Sequence, residues 1–133
     1  MINVIYGAKG SGKTQKIIDK ANAKANTSKG CVLYLTDRAE HSDGVDNSIR
    51  FINVNSYGIA DENQALYFIK GLLASNYDVT DVFIDGLAKF IKKEIYELEG
   101  IFEQLDLISC DTGVAFTLTV SAEEVPLFMR KYI

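Results

Sequence analysis

The feature that most constrains how this chain can fold is a glycine-rich segment, residues 7–14 with the sequence GAKGSGKT. Residues 2–6 before it form a short apolar run rich in β-branched side chains, which predicts a buried strand. Residues 13–27 after it repeat apolar positions at helical spacing, which predicts an amphipathic helix. A strand, a tight glycine turn and a helix in that order are the opening unit of an α/β fold.

The remaining sequence continues this alternation. We expect further strands at 31–36, 49–54, 82–84 and 114–120. We expect further helices from the Asp61 cap to about residue 74, from 87 to about 105 with a bend or split at Gly100, and in the tail after Ser121. This order predicts one domain, residues 1–133, with an α/β fold: a three-layer αβα sandwich around a mainly parallel, roughly five-stranded sheet.

Composition narrows the range of functions. The chain has 14 basic and 18 acidic residues and a formal charge of −4, which disfavours general nucleic-acid binding. Its apolar runs are too short for a membrane span, and we expect a cytoplasmic protein because no signal peptide precedes the first strand. Cys31 and Cys110 lack the spacing of a zinc site or a redox pair, so we expect both to be inert core thiols.

The spacing of the glycine segment has a chemical reason. Glycines remove Cβ atoms and allow backbone N–H groups to converge on phosphate oxygens, and the helix that follows adds the positive end of its dipole. Lys13 is expected to neutralise the β and γ phosphates, and Thr14 to offer its hydroxyl to Mg²⁺. The side chain of Lys9 is either a further phosphate contact or exposed, and we favour exposure. The predicted nucleotide-binding residues are Gly7, Ala8, Lys9, Gly10, Ser11, Gly12, Lys13, Thr14 and Gln15.

Residues 7–14 resemble the Walker A motif of the P-loop NTPases, and residues 82–85 resemble a Walker B strand. The resemblance implies that Asp85 binds Mg²⁺ together with Thr14, and that Lys13 and Asp85 are the catalytic residues. Helix capping is the alternative role for Asp85, and Asp37 is a rival for the metal role. We favour Asp85 because a longer apolar run precedes it and because we expect it beside the first strand.

Up to about Ser121 the chain resembles small bacterial ATP-binding P-loop proteins with a minimal RecA-like or AAA-like core. In such cores the strand after Walker B lies next to the phosphate-binding strand and ends in a polar sensor, which Thr119 or Ser121 matches. Many of these ATPases place a glutamate directly after the Walker B aspartate, where this chain has Gly86. The candidates to replace this glutamate are Glu40, Glu62 and Glu123. The candidates for an arginine that stabilises the transition state are Arg38, Arg50 and Arg130.

The resemblance and the residues together lead to a functional expectation. We expect a protein that binds Mg·ATP and hydrolyses it slowly, or only when it is assembled with a protein partner or with copies of itself. The candidate surfaces for such a partner are the 37–48 loop and the tail from Val125. ATP is favoured over GTP because the base-reading motif Asn-Lys-x-Asp does not occur. One alternative is a small-metabolite kinase closed by Arg38 and His41, although we expect His41 to be merely exposed. The other is a nucleotide-sensing or assembly module without hydrolysis, which Gly86 supports.

Overall fold

The computed structural model describes residues 1–133, and its centre is a five-stranded sheet. The strands are β1 (Ile2–Gly7), β2 (Cys31–Thr36), β3 (Arg50–Asn53), β4 (Val79–Asp85) and β5 (Ala115–Ser121). They lie in the order β1-β5-β4-β2-β3, and every neighbouring pair is parallel. All five carboxyl ends therefore meet at one edge of the sheet.

Helices connect these strands, so the molecule has an α/β fold. The α-helices are α1 (Lys13–Thr27), α2 (Glu62–Ser75), α3 (Leu87–Phe90) and α4 (Glu99–Thr112). Short 3₁₀ turns are found at Ala39–Gly44, Val54–Tyr57, Ile95–Glu97 and Leu127–Tyr132. The alternation expected from the sequence is confirmed, and the sheet is parallel throughout. No helix is both long enough and apolar enough to cross a membrane.

The third predicted helix is interrupted, but not at Gly100. Lys92 has a φ of 59°, in the left-handed region, and there α3 ends in a C-terminal cap. The N–H of Lys92 donates to the Lys89 carbonyl and that of Lys93 to the Ala88 carbonyl, which is the Schellman pattern. Gly100 lies within the first turn of α4, so the prediction of a break at Gly100 is wrong.

The buried residues form two clusters. The larger contains 26 residues from the sheet, from α2 and α4, and from the tail, where Met129 and Tyr132 are buried. The smaller contains eight, with α1 contributing three of them. Successive residues of β2 alternate between the clusters: Leu33 belongs to the larger and Tyr34 to the smaller. This strand is apolar on both faces, as buried parallel strands are.

The two cysteines differ in exposure. Cys31 is partly buried and packs against the larger cluster. Cys110 is exposed, so the prediction that it is a core thiol is wrong. The cause is the helical period, because α4 directs Phe102, Leu105 and Ser109 inward, which leaves position 110 on the outer side.

Candidate functional site

A cleft of about 520 Å³, lined by residues that are mostly polar or charged, lies at the carboxyl edge of the sheet. The register places Thr36 of β2 beside Asp85 of β4, and Gly7 of β1 beside Ser121 of β5. Because the strands are parallel, the residues that follow them converge on this edge. The cleft is lined by parts of the 7–14 loop, of the segment after β2, of α3 and the segment after it, and of the end of β5.

The 7–14 loop depends on its glycines. Gly10 and Gly12 have φ values of 81° and 88°, in the region that other L-residues rarely adopt. A Cβ atom at Gly7 would collide with the Ser11 hydroxyl. The Ala8 carbonyl accepts the Ser11 N–H at 3.0 Å and so closes the turn. These contacts explain why glycine occupies three of the loop positions.

The loop presents backbone donors that nothing in the protein satisfies. The N–H groups of Lys9, Gly10 and Gly12 donate to no protein acceptor. The first-turn amides of α1 are free as in any α-helix, and α1 has neither a capping side chain nor an acidic residue in that turn. Together these groups create a concentrated positive potential at the start of α1, which suits an anion.

Lys13 lies inside this loop rather than on the open surface. Its side chain is buried, and its Nζ donates to the Ala8 carbonyl at 3.0 Å. The ammonium therefore sits among the free amides, at the wall of the cleft. It adds a full positive charge to the partial charges of the backbone donors.

Thr14 and Asp85 are 71 residues apart in the chain and touch in the fold. The Thr14 hydroxyl donates to Asp85 Oδ2 at 3.0 Å, and the Thr119 hydroxyl donates to Asp85 Oδ1 at 2.6 Å. Thr119 in turn accepts the N–H of Gly86 at 3.0 Å. Asp85 and Thr119 are both buried, so both oxygens of this carboxylate are held in place. Of the two predicted sensor residues, only Thr119 reaches Asp85, whereas Ser121 is exposed at the rim.

The position of Asp85 differs from the expectation in one respect. We expected its strand beside β1, but β5 lies between β1 and β4. The contact with Thr14 still forms because Thr14 belongs to α1, which follows β1 and its loop and packs against β4 as well as β1 and β5. The position of β5 agrees with the other expectation, that the strand after β4 lies next to the phosphate-binding strand.

Asp37 lies at the same edge, directly after Thr36. Its side chain is 14% exposed, and its Oδ2 lies 3.7 Å from Lys89 Nζ. Its other oxygen, Oδ1, lies 3.7 Å from the place that a Cβ atom would take at Gly86, and no side-chain hydrogen bond engages it. The carboxylate therefore borders the space that the missing side chain of Gly86 leaves open.

His41 is not the exposed histidine that we expected. The 3₁₀ turn Ala39–Gly44 brings it to the cleft, where its Nδ1 lies 3.6 Å from Asp85 Oδ2. That nitrogen is shielded from solvent and has no hydrogen-bond partner in the protein. The 37–48 segment gave no periodic signal in the sequence, so this approach was not foreseeable.

Other candidates lie outside the cleft or at its margin. The Gln15 amide donates to Asp19 along the exposed surface of α1 at 2.8 Å. Arg38 lines the cleft and donates to Glu40 at 2.7 Å, and this hydrogen bond lowers the pKa of Glu40 and raises that of Arg38. The candidates that do not line the cleft are Gly7, Ala8, Ser11, Gly12, Gln15, Glu40, Glu62, Glu123, Arg50 and Arg130. Gly7, Ala8, Ser11 and Gly12 nevertheless build the loop itself.

Three charged residues of the cleft were not predicted from the sequence. Lys89, Lys93 and Glu94 come from α3 and the segment after it, on the wall formed by the chain beyond β4. Lys93 also pairs with Glu62 at 3.5 Å. Their position shortly after Asp85 in the sequence could have predicted their place in the cleft, because residues just after a parallel strand lie at the carboxyl edge of the sheet.

The oxygen atoms at Thr14 and Asp85 fit a magnesium ion. Mg²⁺ prefers hard oxygen ligands and retains several waters. No group of three or more His, Cys, Asp or Glu side chains is arranged to enclose a metal. A cation at this place would therefore take most of its ligands from water and from phosphate oxygens, as Mg²⁺ bound to a nucleotide does.

Comparisons with known proteins assign no function to this chain. No model of a known protein family matches the chain. No curated protein matches it either.

Proposed function

We propose that this protein binds Mg·ATP at the 7–14 loop and hydrolyses it slowly, with acceleration by a protein partner or by copies of itself. The observation that carries the proposal is a convergence in one cleft: unsatisfied loop amides, the buried Lys13 ammonium and the Thr14–Asp85 pair. Each of these groups complements a different part of a nucleoside triphosphate with its metal. The proposal includes membership of the P-loop NTPases, a three-layer αβα arrangement and a cytoplasmic location.

The strand order supports this proposal. A core in which the strand after the Walker B strand lies beside the phosphate-binding strand is what the RecA-like and AAA-like resemblance implies. Here β5 lies between β1 and β4, and its Thr119 contacts the carboxylate of Asp85. This arrangement of three strands supports the proposal that the chain is a P-loop NTPase with such a core.

The proposed function gives a role to the loop amides and to four side chains of the cleft. The loop amides and Lys13 bind the phosphate oxygens and stabilise the charge that develops on them during transfer. Thr14 and Asp85 would hold Mg²⁺, which would neutralise part of the charge on the phosphates. Thr119 keeps one Asp85 oxygen fixed, so that the carboxylate is presented to the metal in one orientation.

A small-metabolite kinase is the second candidate. The cleft is lined by Lys89 and Lys93, from α3 and the segment after it, and by Arg38. Cations at these positions suit an anionic acceptor beside the γ phosphate. All three side chains already contact carboxylates, Asp37, Glu62 and Glu40 respectively, which reduces the charge available to an acceptor.

Binding and turnover measured together test the proposal. Calorimetry with Mg·AMPPNP measures nucleotide affinity, and phosphate release from Mg·ATP is followed at several protein concentrations, with and without small anionic acceptors. We expect binding together with slow release, rising faster than linearly with protein concentration if the chain self-assembles. Release of ADP only with an acceptor would instead indicate a kinase, and binding without any turnover a nucleotide sensor. Absence of binding would contradict the proposal itself.

A further inference from the structure

Hydrolysis at this cleft requires a group that accepts a hydrogen bond from the attacking water and orients it. A carboxylate is the usual group, and three carboxylates line the cleft: Asp37, Asp85 and Glu94. The position directly after Asp85 supplies none, because Gly86 has no side chain. Which of the three is free to act can be decided from their contacts.

Two of these carboxylates are less suited to the task than the third. Both oxygens of Asp85 accept hydroxyl hydrogen bonds, and the proposed function assigns this side chain to the metal. Glu94 is exposed and lies beyond α3, next to the 3₁₀ turn Ile95–Glu97, where its backbone N–H donates to Glu97 Oε1 at 2.9 Å. Asp37, in contrast, directly follows the strand beside β4 and is largely buried.

His41 is also unsuited to the task. Its Nδ1 is shielded from solvent and lies against Asp85 rather than facing the open part of the cleft. The nearest carboxylate in its own segment, Glu40, is tied to Arg38, is 63% exposed and does not line the cleft. Among the carboxylates of the 37–48 segment, only Asp37 lines the cleft.

We propose that Asp37 is the catalytic residue that orients and deprotonates the attacking water, in place of a side chain at position 86. Thr36 is the register partner of Asp85, so Asp37 and Gly86 are the first residues after two neighbouring strands, β2 and β4. Asp37 Oδ1 borders the space above Gly86 and accepts no hydrogen bond, and the contact of Oδ2 with Lys89 is a weak one to a largely exposed lysine. The carboxylate thus comes from β2, whereas the metal-binding aspartate comes from β4.

The step balances without a further reactant. The water oxygen bonds to the γ-phosphorus while the bond from that phosphorus to the bridging oxygen breaks, and its electron pair remains on ADP. Asp37 accepts the proton of the water and releases it to solvent. Lys13 neutralises charge on the leaving ADP, and a Mg²⁺ held by Thr14 and Asp85 would add to this effect. This inference rests on the proposed function, because it assumes that ATP is hydrolysed in this cleft.

Asp37→Asn tests the inference, since it removes the charge and keeps the shape. The matched control is Asp43→Asn, the same change at an exposed position of the same segment that does not line the cleft. Three quantities are measured on each protein: affinity for Mg·AMPPNP by calorimetry, the rate of a single turnover of Mg·ATP with protein in excess, and the gain in Mg·ADP affinity on adding fluoroaluminate. The last reports on the transition-state arrangement without needing turnover.

We expect Asp37→Asn to bind Mg·AMPPNP within about twofold of wild type, because the loop, Lys13 and Asp85 remain. Its single-turnover rate should fall by about 100- to 10,000-fold, the usual contribution of a general base. It should also lose the gain from fluoroaluminate, whereas Asp43→Asn should match wild type in all three measurements.

Several results would overturn the inference. An unchanged single-turnover rate in Asp37→Asn would show that another group orients the water. Loss of Mg²⁺-dependent AMPPNP binding in Asp37→Asn would make Asp37 a metal ligand instead. A wild type that binds Mg·AMPPNP but neither turns over ATP nor responds to fluoroaluminate would refute a catalytic role while leaving nucleotide binding intact. A wild type that does not bind at all would refute the proposed function itself.

Discussion

At the scale of single residues, Lys13 makes the most direct test of phosphate binding. Its ammonium is buried in the loop with one protein acceptor, the Ala8 carbonyl, so most of its hydrogen-bonding capacity faces the cleft. A hydrogen bond to a charged group contributes roughly 1.5–3 kcal/mol, so Lys13→Ala should weaken Mg·ATP binding by about ten- to 150-fold. ADP binding should weaken less because ADP lacks the γ phosphate.

Calorimetry with both nucleotides measures these effects. Lys16→Ala is the matched control, because Lys16 is exposed one turn further along α1 and does not line the cleft. Equal ATP affinity in wild type and Lys13→Ala would contradict the placement of the triphosphate in this loop.

Tyr34 poses a different question, because its hydroxyl is buried without a hydrogen-bond partner in the protein. Burial raises the pKa of this hydroxyl well above its ordinary value, and the negative charge of Asp85 raises it further. The ring itself stacks on Phe51 at a centroid distance of 5.7 Å, and Phe at position 34 would keep that contact. Tyr34→Phe should therefore raise the free energy of unfolding by about 1 kcal/mol, since it removes an unsatisfied polar group.

Urea denaturation of both proteins measures the change. Tyr132→Phe provides the comparison, because its hydroxyl does have a partner, Asp106, and its removal should give no gain. If Tyr34→Phe instead lowers stability by more than about 1 kcal/mol, the hydroxyl is satisfied by a buried water.

The residues of the site were predictable to different degrees from the sequence. Thr14 and Asp85 could be predicted, because Thr14 belongs to the glycine-rich motif that follows β1 and Asp85 ends the apolar strand β4. Asp37 was foreseen only as a rival metal ligand, and the approach of His41 to Asp85 was missed. The place of Asp37 follows from the pairing of β2 with β4, which the sequence does not display. The place of His41 depends on the 3₁₀ turn Ala39–Gly44, and such a turn has no hydrophobic period that a sequence displays.

At the scale of elements, the C-terminal end of α3 is a boundary that the sequence pattern does not predict. The bounds of α1 and β2 follow from apolar periodicity and from flanking glycine and polar residues, and the structure has them at the predicted positions. The end of α3 depends on Lys92 in a left-handed conformation, a place where glycine is the usual residue. The apolar pattern from 87 to 105 does not predict a helix end at Lys92. Glycine is a weak helix former, so the sequence suggests a break at Gly100, which is helical in the structure.

Lys92→Gly tests this cap. A left-handed conformation costs a non-glycine residue roughly 1–2 kcal/mol, and glycine loses about 0.5–1 kcal/mol through its greater freedom in the unfolded chain. The substitution should therefore raise the free energy of unfolding by roughly 0.5–1 kcal/mol. Lys92→Ala keeps the Cβ atom and should show no such gain in a parallel urea titration. Equal stability of the two variants would show that the cap carries no strain.

At the scale of the whole molecule, the proposed nucleotide binding should be linked to folding, because the site combines residues of α1, β4 and β5. An unfolded chain does not bring Thr14, Asp85 and Thr119 together, so we expect Mg·ATP to bind only the native state. Mass action should then stabilise the protein by about 2.7 kcal/mol at a free ligand concentration one hundred times the dissociation constant.

Chemical denaturation at increasing Mg·ATP concentrations measures this gain. ATP with EDTA is the control, and it should stabilise the protein less because Thr14 and Asp85 then have no cation to hold. An identical gain with and without Mg²⁺ would contradict the role of these two residues in metal binding.

The place of β5 in the sheet also has a consequence for how the chain is made. The ribosome synthesises β1, β2, β3 and β4 first, but the space of roughly 10 Å between β1 and β4, two strand spacings, is filled only by residues 115–121. A nascent chain that has emerged as far as residue 113 already carries Lys13, Thr14 and Asp85, yet β1 has no strand to pair with. Closing this gap joins segments more than a hundred residues apart, which is a slow kind of step. We therefore expect the cleft to form only after β5 has been translated and inserted between β1 and β4, and the proposed nucleotide binding to follow that step.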